Sequence, residues 1–539
     1  MSDAYQSEVL DHLGLVAGMY DELGIGEILD QVIVQDHDNR KVSVGQAVKA
    51  MVLNGLGFIN QRLYLVPHFF ANKPVERLVG PGIEAAQLND DVLGRALDSL
   101  YQHDVTELYR QVAHQAAQRL GLDVQYVHLD SSSFHVDGRY NSDEPPEEGV
   151  IHITRGYSRD HRPDLNQVVL DLICEQQAGI PLLMEPLSGN SEDKSDFRRV
   201  VQTHVAQLQL DHAPSYFVAD SALYTEATLR ELAARDCLWI SRVPATLSDV
   251  KRLLAQVEVT QLTPLDDDYR YQEVGAIYGA VKQRWLVLHS QAAQQRAHKT
   301  VHKQLLRLTT REAKAFERLT RQHFACRAEA AAALAAFEAQ LELSQLSDTT
   351  LVEVSHYATR GRPATAAVPI RTSYQIRGAV LIPRHHLSRL LDQHSCFVLA
   401  TNQLDEAALP PAAVLDGYKG QGHTEGGFRF LKDPLFLASA LFLKLPERIM
   451  ALMMVMTLCL LVYAALQFRI RSQLQAQQQT FPDQKGRPTQ SPTTRWVFHY
   501  FVGIHLLSLP TGQQLILNLK DTHRSLLGLL GPPYVALYS

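Results

Sequence analysis

The chain has 539 residues, 46% of them hydrophobic and 20% charged, a balance that suits three or four domains with sizeable cores and excludes global disorder. Its net charge of −7 excludes a uniformly basic nucleic-acid coat. Residues 1–120 carry 16 acidic and 9 basic side chains, which accounts for the whole excess, so any polyanion site further on must be a local patch.

Along the chain, the start (MSDAYQSEVLDHLGL) has neither a basic n-region nor an apolar run, so no secretory signal is expected. Residues 8–120 read as helical, with apolar side chains at three- and four-residue spacing between Gly-Pro and Asn-Lys-Pro turns. The period then shortens. Residues 126–136, 166–175 and 180–189 are β-rich, 193–210 form an amphipathic helix, and 215–224 form a strand that ends in polar residues. Residues 225–236 form a helix capped by Thr225, and 238–243 form another strand.

From about 245 to 395 strands give way to a long polar helical stretch over 291–345; residues 395–403 resume a buried strand and helices follow. The Gln-rich segment 473–495 reads as an exposed linker. Ile449–Leu466 has 18 residues without a charge, the threshold length of a membrane span. Nothing else in the chain has membrane topology, so a buried core helix and no membrane partner are expected. The five cysteines are far apart and form no C-x-x-C pair, so neither a disulfide framework nor a cysteine zinc site is expected, and reduced cytoplasmic thiols are the simplest reading.

Two aspartates stand where burial would ordinarily forbid them. Asp130 follows Tyr126–Leu129 and Asp220 follows Tyr216–Ala219, each at the end of an apolar strand. A carboxylate there loses hydration unless it is paired or binds a cation. Singly, each is a cap or turn former; two on one sheet suggest a hard-cation site of oxygen ligands. Tyr418, Gln421, Glu425 and Lys432 fall on one stripe if the region is helical, although the five glycines between 417 and 427 weaken a helix and could delay its start to near His423.

These residues carry a family resemblance. The chain resembles a DDE transposase of bacterial insertion sequences, in the insertion sequence 4 superfamily and closest to its insertion sequence 1634 group. Tyr418, Glu425 and Lys432 match the third-acid signature Y-x₂-R-x₃-E-x₆-K, with Gln421 where arginine is usual. HLDSSSFHVDG around Asp130 and FVADSALYTEATL around Asp220 resemble the first- and second-acid motifs. RGYSRDHRPDLNQ (155–167) and GIPLLMEPLSGNSEDKSD (179–196) resemble the same group.

The resemblance implies an α/β fold: a ribonuclease-H-like mixed-sheet catalytic domain interrupted by an inserted α+β domain. The implied boundaries are 1–120 for a helical N-terminal domain (end recognition or dimerisation), and 121–244 for the first part of the catalytic domain. Residues 245–394 would be the insertion, 395–470 the second catalytic part with the third acid, and 471–539 a linker and helical C-terminal region. It also implies Asp130, Asp220 and Glu425 as catalytic metal ligands for two Mg²⁺ ions, replaceable by Mn²⁺. Expected partners are terminal inverted repeats and target DNA, with a homodimer in the active complex and a cytoplasmic, nucleoid-associated location in a bacterium. A silent relative that only binds element ends, or a nuclease without strand transfer, remain alternatives.

DNA affinity needs cations near phosphates. Between Arg296 and Arg327 nine basic residues face only Glu312 and Glu317, and Lys299, Lys303, Arg307 and Arg311 repeat at four residues to make one helical stripe, either a phosphate contact or a solvated face. Arg155, Arg159, His161 and Arg162 are further phosphate candidates. Trp285 reads either as a base-stacking platform or as a core residue.

Overall fold

A computed structural model describes residues 5–34, 40–58, 63–136, 138, 140, 147–158, 162–342, 344–358, 368–433, 436 and 443–539. A short strand β1 (Gln6–Val9) precedes the helices α1 (Leu13–Glu22), α2 (Ile25–Val32), α3 (Val44–Leu56), α4 (Val66–Phe70), α5 (Val75–Leu78), α6 (Asp90–Gln102) and α7 (Val105–Leu120). Local chemistry sets their ends. Ser43 and Gln46 form a reciprocal capping box on α3, Asn89 and Asp104 cap α6 and α7, and Gly121 closes α7 in the left-handed region.

Next come β2 (Tyr126–His135), β3 (Gln167–Glu175), β4 (Pro181–Ser188), α8 (Asp193–His212), β5 (Tyr216–Ala219), α9 (Glu226–Ala234) and β6 (Trp239–Arg242). The strand order is β4-β3-β2-β5-β6, antiparallel across β4-β3-β2 and parallel across β2-β5-β6. This is a mixed sheet in a chain otherwise rich in helices. Thr225 caps α9, accepting from Thr228 N.

The middle of the chain contains α10 (Ser248–Gln256), β7 (Thr263–Pro264), β8 (Tyr269–Tyr278), β9 (Val281–Ser290), α11 (Gln291–Thr320), α12 (Arg327–Glu338), β10 (Gln345–His356), β11 (Arg371–Leu381), α13 (Arg384–Ser395) and β12 (Cys396–Thr401). Then follow α14 (Pro411–Lys419), α15 (Gln421–Leu431), α16 (Pro446–Ala476), β13 (Phe481–Pro482), β14 (Pro488–Thr489), α17 (Thr494–Tyr500), β15 (His505–Ser508), β16 (Gln514–Leu517), α18 (Asp521–Leu530) and α19 (Pro532–Leu537).

Two compact units result. The first comprises residues 1–241, 278–281 and 413–539; the second comprises 242–277 and 282–412. The N-terminal helices are therefore not a body apart from the β2–β6 sheet. The reason is α16, which packs on α1, α3, α6, α7, α15 and α18 and also on β4. An element surrounded in this way must be apolar on every side. Its apolar window is 89% buried, as expected of a core helix.

The Gln-rich stretch departs from the linker expectation. Its first residues continue α16 to Ala476, and β13 and β14 pair as a small hairpin that buries Phe481 and whose Pro482 carbonyl accepts from Trp496 Nε1 at 2.7 Å. The C-terminal region also returns to the beginning of the chain: β15 pairs antiparallel with β1, and Tyr534 and Tyr538 pack on Gly18 and Gly14 of α1.

In the second unit the order is β12-β9-β8-β7, with β12 antiparallel to β9 over its full length. β10 and β11 form a separate hairpin, and Phe316, Phe324, Ala330 and Ile376 make a small core beneath α11 and α12. Arg284 on β9 clamps this unit internally, holding both oxygens of Glu273 at 2.6 and 2.9 Å and donating to the Leu409 carbonyl at 3.0 Å.

Candidate functional site

β2 and β5 are parallel neighbours, with Leu129 opposite Ala219 in register. One residue further on, Asp130 and Asp220 stand side by side at the ends of the paired segments, on strands about 4.8 Å apart. Register partners point to the same face, so both carboxylates lie on one side of the sheet. Each is fixed by its own backbone: Asp130 Oδ1 accepts from Ser131 N at 2.9 Å, and Asp220 Oδ1 accepts from Ala222 N at 2.8 Å in an Asx-type turn. Ser241 on β6 adds support, donating its hydroxyl to the Asp220 carbonyl at 2.8 Å.

α15 lies across the same face. At its start, a Cβ on Gly420 would fall 2.8 Å from His128 Nε2 and 2.5 Å from Gln176 Cδ, so the backbone approaches closely there only because the residue is glycine. At its end, Lys432 Nζ sits 5.5 Å from the centroid of the Phe134 ring. His128, Asp130 and Phe134 alternate onto one face of β2. The six strand steps from His128 to Phe134 cover about 20 Å, and the twelve helical steps from Gly420 to Lys432 cover about 18 Å. The helix therefore runs alongside β2 in the same direction. Glu425 falls about 7.5 Å along it and Asp130 about 6.6 Å along the strand, so the third carboxylate stands at the level of the first. Thr424, one residue earlier, is buried, whereas Glu425 is exposed.

The stripe is bent compared with the expected single helix. Tyr418 belongs to α14, which ends at Lys419, and α15 begins at Gln421 rather than near His423. Gln421 is buried, whereas Tyr418 and Lys432 are partly exposed. Burial pushes the adjacent His128 imidazole down to about 4, with Gln176 opposing the shift and His423 adding to it. This neutral ring lies 3.2 Å from Gln176 Oε1.

Other carboxylates on the sheet were not singled out by the sequence. Glu175 is buried and accepts from the backbone of Gln177, Ala178 and Ile180, so it closes the β3–β4 turn. Asp171 and Glu185 are register partners on the face opposite Asp130, and Glu185 pairs with Arg199 of α8. Strand alternation alone would have separated these from the Asp130 face.

Of the phosphate candidates, Arg155 and Arg162 are exposed, and Arg162 pairs with Asp164 at 2.8 Å. Arg159 and His161 lie outside the described residues. In the second unit, Lys299, Lys303 and Arg307 are exposed along α11 and make no ion pair among the described residues, whereas Arg311 pairs with Glu342 at 2.6 Å. Trp285 is only 5% exposed and its Nε1 donates to Gln283 Oε1 at 3.0 Å, so it is a core residue of β9 and offers no stacking face. Its apolar neighbours Leu286, Val287 and Leu288 are the reason: the strand is buried on both faces.

Residues 5–114 match a family described as a domain of unknown function, DUF4277. No curated protein matches the chain. Among solved structures, the piggyBac transposase synaptic complex with hairpin DNA matches with a TM-score of 0.38 and 9% identity, over 98% of this chain and 88% of that one. Neither match supplies a site residue.

Proposed function

We propose that the protein is a metal-dependent DNA transposase of the DDE type, which cuts at the ends of an insertion sequence and joins the freed 3′-hydroxyl ends to target DNA. The observation that supports this most directly is the pair of carboxylates, Asp130 and Asp220, at matching ends of parallel neighbours beneath a helix that carries Glu425 at the same level. Their oxygen-only donor set suits hard cations such as Mg²⁺ or Mn²⁺. Two such ions, when bound, supply the charge that activates an attacking water or 3′-hydroxyl and neutralises the leaving oxygen. The chain's own part is to hold its carboxylates in fixed rotamers. Ala222 N does so at Asp220 and Ser131 N at Asp130, while the Ser241 hydroxyl holds the main chain of Asp220 through its carbonyl. Lys432, beside the Phe134 ring on the same face, would meet a scissile-strand phosphate.

On this reading the partners are terminal inverted repeats and target DNA, the active complex is a homodimer on two ends, and the protein works in the bacterial cytoplasm at the nucleoid. Purified full-length protein given Mg²⁺, target plasmid and pre-cleaved oligonucleotides copied from the DNA flanking its gene should yield covalently joined products. Hydrolysis without joining would favour a nuclease, and end binding with neither reaction a silent relative.

In the second unit, the exposed stripe Lys299, Lys303 and Arg307 supports a backbone-contact role for α11. Changing all three to glutamine should flatten the dependence of log affinity on log salt by about 2–3, since each neutralised phosphate contributes about 0.9. Binding titrations at several salt concentrations measure that slope, and an unchanged slope would remove α11 from the DNA path.

A further inference from the structure

α7 and α8 meet at a cluster that strand chemistry does not use. His114 lies in the second half of α7, and Asp211 and His212 are the last residues of α8; each offers one donor atom, and these atoms lie within 4.8 Å of one another. The two imidazoles meet edge to face with centroids 5.2 Å apart. His114 Nδ1 and His212 Nε2 are both buried without a hydrogen-bond partner. Such atoms are uncommon and costly, so two in one place call for an explanation.

The surroundings favour a cation. The site lies at the C-terminal end of α8, where the unpaired carbonyls of the last turn carry partial negative charge. Arg110 donates to Asp211 Oδ2 and Gln207 to Oδ1 at 3.0 Å, which holds the carboxylate still while each oxygen retains a further lone pair. Arg110 is also held by Glu107, so with neutral imidazoles the cluster carries a net charge of −1. Burial, reinforced by His114, pushes the His212 imidazole down to about 4, which keeps its ring unprotonated at neutral pH.

We propose that His114, Asp211 and His212 hold a zinc ion that pins the end of α8 to α7. Two imidazole nitrogens and one carboxylate oxygen make a set that takes zinc in preference to magnesium. Tetrahedral ligands at about 2.0–2.1 Å from the ion stand about 3.3 Å apart, so the donors need close by no more than about 1.5 Å. His114 Nε2 faces Gln118 Nε2 at 2.9 Å. With zinc on Nδ1 the proton sits on Nε2, and a turned Gln118 amide accepts it through Oε1 and fixes the ring. β5 starts at Tyr216 and Asp220 follows its far end, about 13 Å further on, so this ion ties the fold together and takes no part in strand chemistry.

The test uses full-length, tag-free protein, stripped with a chelator and then titrated with zinc chloride by calorimetry and thermal melting. Wild type should bind an equivalent of zinc that raises its Tm, and in the Asp130→Asn/Asp220→Asn background, which lacks the strand-end carboxylates, magnesium chloride should give no such rise. His212→Gln and His114→Gln should each lose that equivalent and its Tm gain, while melting like the wild type in chelator. Asp130→Asn/Asp220→Asn should keep both, which separates this site from the strand-end carboxylates. Absence of a zinc equivalent in the wild type, or its retention in a folded histidine variant, would overturn the proposal. Should one histidine variant fail to fold, the other carries the same comparison.

Discussion

Asp220→Asn is expected to lower cleavage at element ends by about a thousandfold or more, a loss of about 4 kcal/mol of transition-state stabilisation, with end binding within about twofold of the wild type. The amide has the shape of the acid, and its oxygen can still accept from Ala222 N, so the turn after β5 should survive. What disappears is the negative charge beside Asp130, and with it, on the proposed function, the hold on a divalent cation. Asp130→Asn should behave alike, because the two are neighbours in register. Gel assays of nicked and cleaved DNA, with a binding titration and a thermal melt on the same preparations, make the check. Cleavage within tenfold of the wild type in a folded variant would take Asp220 out of the site.

Why those aspartates were legible, and other parts were not, follows from what a sequence pattern can encode. An apolar strand that stops abruptly at a carboxylate is a local signal, and β2 and β5 both carry it. β10 and β11 were not read as strands because both faces are partly exposed and the alternation is weak. The β1–β15 pair joins residues about 500 positions apart, and no window of sequence contains both. Composition misled at 473–495, where glutamines belong partly to the last turns of α16 and not to a linker.

The glycines between 417 and 427 show the same limit from another side. By propensity they argue against a helix. In the structure Gly417 lies against Tyr126 and Ile240, Gly420 against His128 and Gln176, and Gly427 against Leu460. A helix pressed onto a sheet and onto α16 has no room for Cβ atoms at those contacts, so packing overrode propensity and brought Glu425 down beside β2. Trp285 was open between two roles for a related reason: a strand buried on both faces has no alternation to show which way a ring points.

Gly189→Ala is expected to cost about 3 kcal/mol and to lower Tm by about 3–5 °C. At this position the added Cβ would fall on the carbonyl oxygens of Gln167 and Thr154, with the Gln167 carbonyl carbon at 2.9 Å. Backbone cannot swing aside as a side-chain end can. Gly189 N donates to the His152 carbonyl at 2.9 Å, and the buried Gln167 amide donates to the carbonyls of Gly189 at 2.7 Å and Tyr157 at 3.0 Å. Relieving the clash would therefore peel 152–157 from the end of β4 and release Arg155 from its position beside the sheet. Segments 155–167 and 179–196 meet at this crossing, which gives a structural reason for Gly156 and Gly189. Gly528→Ala is the control: nothing stands within 4 Å of its Cβ, and alanine in α18 should be neutral or stabilising by up to about 1 kcal/mol. Paired melts of the two variants decide the matter, and a Gly189→Ala protein melting within about 2 °C of the wild type would mean that the crossing yields more easily than its backbone contacts imply.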